Sequence, residues 1–418
     1  MIERLELRLG LDFERGTLEG MAKLKLAGKA GTFLLNRGLS VNSASAPFSQ
    51  RVEGLNGLEA YEASVVRFEK PLEEVELTYS GRLESYESVL PYLKDSINPE
   101  YTLLRTDSLF YPIPSEPDFE SLIKSVVGSE FDAEITVEGI PEGLVVAFGG
   151  EIKETRLGIE GTKRLDIAIA PFTVIEKEPF RLFVLGEEGI ERTLELLEKA
   201  YGFYSAILGH RAGKFTVIET PENYGGQAGK GYALVSGSSL RAEIPANLYH
   251  ELAHLWNPRA TPEAHLSRFF DEAFANYLTA LAIGKIHGEE AFNRFIEGLR
   301  RNYEAVIERF PEAKKLRPSE WGRLGLWELS YTRREGNRGV KCLSSSSATS
   351  SGRPSFLRTF LKLRLARLII LNRPAIRNAI RGRRRKKRKI GSEFIRPPLC
   401  SLPFWEPWES PEPEDHAF

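Results

Sequence analysis

Hydrophobic and polar residues alternate one by one through most of residues 1–180. Segments such as RLELRLGLDF, MAKLKLAG and EVELTYSGRL place an apolar side chain at every second position, and clusters of Gly, Pro and Ser separate them. Successive side chains of a β-strand point to opposite faces, so this pattern is typical of short strands with one buried face. The sequence therefore predicts an N-terminal antiparallel β domain over residues 1–180.

The spacing of the apolar residues changes near residue 180. In ERTLELLEKAYGFYSAIL (191–208) they recur at three and four positions, as in an amphipathic helix. Strand-like KFTVIET and GYALVSG flank the Gly-rich loop YGGQAGKG, and IPANLYHELAHLW has helical spacing with Pro245 in its first turn. Helical spacing continues to about residue 310. Strands followed by helices predict a second domain, of the α+β class, over residues 181–337.

The pattern breaks off in residues 338–418, which contain a Ser run, the basic stretch RGRRRKKRK and a Pro-rich end. They hold 18 Lys and Arg against 6 Asp and Glu, whereas residues 1–337 hold 39 against 52. Neither helical nor strand spacing persists through this segment. It is predicted to be an irregular, low-complexity basic tail.

Two interpretations of this basic tail stay open. Such a charge run is typical of proteins that bind nucleic acid or an acidic partner, but it lacks the interleaved aromatic residues of a recognition surface, which argues against nucleic acid as a partner. Alternatively, the tail is translated from the wrong reading frame. Codons for Val340–Leu357 can be chosen so that the neighbouring frame encodes an apolar, helix-compatible run, a Gly and a second helix start. We favour this frame-shift hypothesis because the change in pattern is abrupt.

Composition limits both the location of the protein and its metal chemistry. No run approaches the roughly 18 apolar residues of a membrane-spanning helix, and MIERLELRLGLDFERG contains no basic-then-apolar signal segment, so we expect a cytoplasmic protein without membrane contact. Both cysteines, Cys342 and Cys400, lie in the tail. Any metal site in residues 1–337 must therefore use histidine and carboxylate ligands. The oligomeric state stays open.

The segment HELAHLW brings together three residues with the chemistry of a metal site. His250 and His254 are four residues apart, so a helix places both rings on one face. Glu251 lies beside them and can take a proton from a water molecule. Zinc hydrolases need a third protein ligand, and FFDEAFANY supplies Glu272, which we favour over Asp271 because the apolar residues then share one face. The sequence predicts one zinc ion bound by the two histidines and Glu272.

The same letters also occur by chance on ordinary buried helices, and Trp256 and the second helix favour the metal site over that alternative. His210, His265 and His287 lie in turn-like or helix-end contexts and are interpreted as surface or hydrogen-bonded residues rather than ligands. Asn276, one helical turn after the third ligand, is either an ordinary helix residue or a partner that orients a ligand.

HELAHLW and DEAFANY together resemble the gluzincin metallopeptidases, and most closely the M1 aminopeptidases. That family has HExxHxW followed by a Glu in a segment such as NEGFAxY. Seventeen residues lie between His254 and Glu272, one fewer than is usual there, and HLWN also resembles the related M61 group, which stays an alternative. The resemblance covers residues 1–337. It implies a thermolysin-like zinc peptidase fold for the second domain, zinc ligands at His250, His254 and Glu272, Glu251 as general base, and a peptide substrate.

Two segments depart from the M1 pattern. M1 aminopeptidases carry Gly-x-Met-Glu-Asn on an edge strand, where the Glu binds the α-amine of the substrate, whereas this chain has Gly225, Gly226 and Gln227 followed by Ala228 and Gly229. The expected carboxylate is missing. Backbone at the glycines can still approach a bound peptide, so Gly225, Gly226 and Gln227 are candidate substrate-binding residues.

Glu222 and Asn223 lie just upstream of this loop and could replace the missing carboxylate if the loop folds back, although a turn is the interpretation we favour. The second departure concerns the tyrosine that stabilises the oxyanion in M1 enzymes. Tyr331, in ELSYTRR, is the nearest candidate, and such a donor can lower the barrier by about 3 kcal/mol.

The sequence thus predicts a zinc-dependent, M1-like and aminopeptidase-like metallopeptidase, which hydrolyses peptide bonds with a zinc-activated water and Glu251 as the base. The alternative is a catalytically impaired zinc-binding or scaffold protein of the same fold. That alternative stays open because the amine anchor is missing and Tyr331 lies beside the break in pattern.

Overall fold

The structure is a computed structural model that describes residues 1–127, 130–209, 214–256 and 269–309. Tyr331 and the basic tail lie outside these residues, as do His210 and His265. Within the described ranges the strands form three sheets.

The largest sheet, of nine strands within the described part, confirms the predicted alternation. In β1 (Ile2–Asp12), Leu5, Leu7 and Leu9 are buried and the charged residues between them are exposed. The other strands of this sheet are β2 (Thr17–Asn36), β3 (Leu39–Ala44), β4 (Phe48–Leu55), β5 (Leu58–Arg82), β7 (Ile113–Pro114), β8 (Phe131–Glu138), β10 (Glu151–Lys153) and β11 (Arg156–Thr162).

This N-terminal sheet is mixed, which corrects the prediction of an antiparallel domain. β1 pairs antiparallel with β2 but parallel with β8, from Arg4 and Asp132 to Gly10 and Glu138. Alternation is the same in both kinds of strand, so the sequence pattern carries no information on strand direction. A helix that the pattern did not predict, α1 (Phe119–Val127), precedes β8.

A small antiparallel sheet of β6 (Thr102–Arg105), β9 (Val145–Phe148) and β12 (Asp166–Ala170) lies in the same half of the chain. All residues of β6 and β12 are buried, including the charged residues Arg105 and Asp166. These two residues are register partners on the neighbouring strands. The small sheet therefore carries opposite charges side by side in an apolar interior.

The third sheet has the order β13-β14-β15-β17-β16. Its strands are β13 (Thr173–Lys177), β14 (Phe180–Val184), β15 (Phe215–Thr220), β16 (Gln227–Gly229) and β17 (Tyr232–Ser236). The three central strands are parallel, and the helix α2 (Ile190–Leu208) connects β14 to β15. The sheet begins with β13, before the boundary at residue 180 that the change in spacing suggested, because β13 pairs with β14.

Both faces of the third sheet are covered, as its nearly continuous apolar strands require. On one face Ile218 and Tyr232 pack into the core of the N-terminal sheets. On the other face Val217 and Ala233 pack with the helices. The sheet therefore connects the β-rich half of the described chain to its helical layer.

The helical layer follows β17. It contains α3 (Gly237–Leu240), α4 (Ala246–Ala253) with a following 3-10 turn (His254–Trp256), α5 (Phe269–Ile286) and α6 (Glu289–Arg309). Pro245 lies just before α4, at its N-cap, rather than in its first turn. α4 packs against β17, α2 and α5. No helix among the described residues is long and apolar enough to cross a membrane.

Candidate metal centre and peptide-binding edge

Helix α4 brings His250 and His254 together. Their ring centroids are 4.9 Å apart and the ring planes are nearly perpendicular, at 89°. Regular helix ends at Ala253, but His254 keeps helical dihedrals (φ −61°, ψ −19°), so the four-residue relation between the two side chains persists. Two imidazoles at this separation can present one nitrogen each to a single metal ion.

Glu251 lies between the two histidines in sequence and beside them in space. Its carboxylate oxygen Oε2 is 3.9 Å from His254 Nε2, and its side chain is 1% exposed. His250 is also 1% exposed, whereas the side chain of His254 is 12% exposed and opens towards solvent. Two imidazoles supply two of the three protein ligands of a zinc hydrolase, and a buried carboxylate beside them is suited to act as the base for the metal-bound water.

Hydrogen bonds of tyrosine and tryptophan side chains fix α4 to its neighbours. The Tyr204 hydroxyl donates to the backbone carbonyl of Tyr249 at 3.2 Å, and the indole N–H of Trp256 donates to the carbonyl of Gly209 at 2.8 Å. The hydroxyl of Tyr249 lies 2.9 Å from His287 Nε2, so His287 is a hydrogen-bonded histidine. These bonds fix the rotation of the helix that carries the candidate ligands.

The third predicted ligand, Glu272, lies on α5, which packs against α4. Its side chain lies outside the described part of the chain. Asn276, one turn further along α5, is buried. Among the side chains that the structure describes, no three His, Cys, Asp or Glu residues are placed to hold one ion. The described residues thus fit zinc as two imidazole ligands with a neighbouring carboxylate, and the third ligand stays a prediction.

The Gly-rich loop leads into an edge strand of the third sheet, which is open as far as the structure describes the chain. β16 pairs with β17 and is the last strand in the sheet order. Gly225 has a positive φ of 69°, and a Cβ atom there would lie 3.0 Å from Cβ of Tyr92. A Cβ atom at Gly229 would lie 2.1 Å from the ring of Tyr232. The two glycines therefore let the loop and strand lie directly on two tyrosines.

The loop before this strand is a turn, in agreement with the interpretation we favoured. Both carboxylate oxygens of Glu222 accept hydrogen bonds from Ser238, one from its backbone N–H at 2.8 Å and one from its hydroxyl at 2.9 Å. Asn223 adopts a left-handed conformation with φ 70°. Glu222 is therefore bound at the start of α3, where it stabilises the backbone of that turn.

A buried ion pair lies beneath the loop. The guanidinium of Arg105 donates to Asp95 at 2.6 Å, to the carbonyl of Tyr92 at 2.6 Å and to the carbonyl of Tyr224 at 2.8 Å. Burial raises the pKa of Asp95 to about 6, and the charge of Arg105 opposes that rise. Tyr224 immediately precedes Gly225, so the β-rich half of the chain binds the loop directly.

A second buried ion pair lies beneath β16 itself. Arg164 donates to both carboxylate oxygens of Asp166, at 2.7 and 2.8 Å, and the Tyr232 hydroxyl donates to the same carboxylate at 2.6 Å. The sequence reasoning missed both ion pairs. The second pair has a local signal, the Arg-x-Asp spacing of RLD beside an apolar strand, whereas Asp95 lies ten residues from Arg105 and has no such spacing.

No known family model and no curated protein matches the chain. Solved structures do match. Native yeast LTA4 hydrolase matches with 16% identity and a TM-score of 0.51, over 73% of this chain and 52% of that one. The aminopeptidase N family protein from Idiomarina loihiensis matches with 10% identity and a TM-score of 0.53, over 87% of this chain and 70% of that one.

The chain spans about half the length of the yeast LTA4 hydrolase structure that it matches. At these identities the likeness concerns the fold. In the described part of the chain, a β-rich N-terminal half is followed by the third sheet and by the helical layer that carries HELAHLW. The described chain therefore has the M1 peptidase fold.

Proposed function

We propose that this protein is a zinc-dependent metallopeptidase that hydrolyses peptide bonds. The observation that carries the proposal is the arrangement on α4, where the rings of His250 and His254 lie 4.9 Å apart and the buried carboxylate of Glu251 lies 3.9 Å from the second ring. The M1 peptidase fold supports the same class of reaction.

Each residue has a distinct proposed role. His250, His254 and Glu272 hold one zinc ion, which when bound polarises the peptide carbonyl and acidifies a water molecule. Glu251 takes the proton from that water as it attacks and delivers it to the leaving amine. Because Glu251 is buried on a packed helix, its carboxylate stays oriented towards this position without a large entropic cost. Tyr331 is the proposed donor to the oxyanion.

The open edge of β16 is the proposed binding site for the peptide. An extended peptide can add a strand there through backbone hydrogen bonds with Gly225, Gly226 and Gln227. The loop has Ala228 where the M1 pattern carries the amine-binding Glu, and the carboxylate of Glu222 is bound to Ser238. Among the loop residues that the structure describes, neither position therefore offers a carboxylate to a free N-terminus. Acetylated peptides are therefore expected to be hydrolysed about as well as free ones.

The test replaces Glu251 by Gln. Zinc content measured by mass spectrometry of the metal should stay at one ion per chain, and kcat for a fluorogenic peptide should fall at least about a hundredfold, because a general base contributes that much or more. Glu243→Gln, an exposed residue before α4, is the matched control and should leave both values unchanged. Undiminished hydrolysis by the Glu251→Gln protein would contradict the proposed mechanism.

A zinc-binding scaffold without turnover is the second candidate, and the missing carboxylate in the Gly-rich loop favours it. The two candidates differ under chelation. A peptidase loses its activity with the metal and regains it when zinc is restored, whereas a scaffold shows no peptide hydrolysis in either state.

A further inference from the structure

We infer that Arg105 and Tyr232 are positioning residues, which hold the candidate peptide-binding strand β16 and the loop before it at a fixed place on the β-rich half of the chain. The inference rests on the proposed function, because it concerns the strand proposed to bind the peptide. It adds a role for two buried ion pairs that the hydrolytic reaction itself does not use.

The first anchor is Arg105. Its guanidinium is 1% exposed and is fixed by the bidentate pair with Asp95. The remaining Nη1 group donates to the carbonyl of Tyr224 at 2.8 Å. The guanidinium also lies over the ring of Tyr92, 5.7 Å from its centroid, and Tyr92 is the residue on which Gly225 rests. One buried cation therefore fixes both the loop and the surface beneath it.

The second anchor is Tyr232. Its hydroxyl donates to Asp166 at 2.6 Å, and Arg164 holds that carboxylate by two further bonds. The ring lies beneath Gly229, the last residue of β16, so closely that no side chain could stand there. The hydroxyl bond prevents the ring from moving away from Gly229.

The small buried sheet supports both anchors, because it contains Arg105 itself and Asp166, the carboxylate that Tyr232 binds. Arg105 on β6 and Asp166 on β12 are register partners in the small buried sheet. Arg105 binds the backbone before β16, and Tyr232 packs against Gly229 at its end. The small sheet therefore positions both ends of the strand. Sites built on packed strands are positioned more accurately than sites built on loops.

β16 needs such support because it has little stability of its own. It is three residues long, pairs with β17 alone among the described strands, and has glycine within it and before it. Glycine loses more conformational freedom on ordering than any other residue, and an edge strand that frays must be ordered again when a peptide binds. The buried hydrogen bonds provide that order in advance.

Tyr232→Phe tests the inference, because it removes the hydroxyl and keeps the ring beneath Gly229. Tyr79→Phe is the matched control: Tyr79 is buried in the N-terminal sheet, its hydroxyl donates to the carbonyl of Phe110 at 2.9 Å, and its ring lies beneath a glycine, Gly20. Both variants lose one buried hydroxyl bond. They differ in whether that bond lies beneath the candidate peptide-binding strand.

Hydrogen exchange of the peptide that covers residues 221–231 is the first measurement. It should accelerate by about tenfold in Tyr232→Phe, the equivalent of one buried hydrogen bond, and stay unchanged in Tyr79→Phe. The second measurement is kinetic. KM for a peptide should rise by about the same factor while kcat and zinc content stay constant, because a loosened strand weakens binding rather than chemistry.

Arg105→Lys is a second variant that retains a positive charge for Asp95. A single ammonium group cannot reach Asp95 and both backbone carbonyls, so exchange at residues 221–231 should accelerate here too. Equal exchange in Tyr232→Phe and Tyr79→Phe, or faster exchange spread over the whole chain, would overturn the inference. Hydrogen exchange and zinc content can be measured without enzymatic activity. An inactive wild-type protein would therefore contradict the proposed function, while the exchange comparison would still test the positioning roles.

Discussion

At the scale of single residues, binding of the metal and turnover depend on different side chains. We predict that Glu272→Gln lowers zinc affinity by at least about a hundredfold, because a three-ligand site loses one of its ligands.

Tyr331→Phe should instead keep zinc and lower kcat by about a hundredfold, the usual loss for one oxyanion donor. Zinc titration and steady-state kinetics separate the two effects.

The control for this pair is Tyr79→Phe, which removes a hydroxyl far along the chain from both residues and should change neither zinc affinity nor kcat. Full zinc affinity in Glu272→Gln would exclude it as a ligand. Unchanged kcat in Tyr331→Phe would exclude Tyr331 as the donor to the oxyanion.

His287 gives the folded protein a dependence on pH. Burial lowers the pKa of His287 below its ordinary value of 6.5; Arg192 and Lys199 lower it further, and Glu243 opposes them. The unfolded chain therefore binds a proton on this histidine at a pH where the folded chain does not, and stability falls as the pH drops below about 6.5. Above that pH the contribution is fully present.

The corresponding prediction concerns thermal unfolding. The Tm of wild type should exceed that of His287→Gln by more at about pH 7.5 than at about pH 5.5, because the glutamine does not titrate. Differential scanning calorimetry at both pH values measures this. A difference that grows as the pH falls would mean that the folded state favours the protonated ring.

The sequence predicted the role of a residue only where its partners lie within one helical turn of it. His250, Glu251 and His254 are related by the helical repeat alone, so their spacing sufficed to place them together. Arg105 and Tyr232 come together with the Gly-rich loop through pairing between distant strands. No local pattern encodes that proximity, although a charged residue inside an apolar strand does indicate a buried partner.

At the scale of elements, the glycine at the end of β16 is a steric requirement. We predict that Gly229→Ala destabilises the protein by about 1–3 kcal/mol and raises KM, because the new methyl group must displace the Tyr232 ring or the strand. Gly158→Ala, in β11, is the matched control because a Cβ atom there meets nothing within 4 Å. Denaturant unfolding and peptide kinetics of both variants test the prediction.

Element types were predicted well and element relations poorly. The helix expected at 191–208 is α2 (Ile190–Leu208), and the strands expected on either side of the Gly-rich loop are β15 and β17. The parallel pairing of β1 with β8 was missed, because period-two alternation is the same in parallel and antiparallel strands. β13 pairs with β14 across the predicted boundary at residue 180, a relation that residue spacing does not reveal.

At the scale of the whole molecule, a bound metal should stabilise the fold. His250 lies on α4, which packs against β17, α2 and α5, so a ligand held there is coupled to the helical layer. Removal of zinc by a chelator should lower Tm by about 2–4 °C for each kcal/mol of binding energy lost. The Tm of His250→Ala should be indifferent to the chelator. Equal responses of both proteins would place the metal elsewhere.

The position of β1 inside the largest sheet has a consequence for how the chain acquires its fold. β1 lies between β2 and β8, and Leu7 pairs with Ala22 on one side and with Ile135 on the other. During synthesis one side of this strand can be completed within a hairpin, while the other stays open until more than a hundred further residues have been made. Such non-local pairing slows folding and exposes an unpaired strand to other nascent chains in the meantime. The β-rich half of this protein is therefore the part most dependent on protection while it is being made.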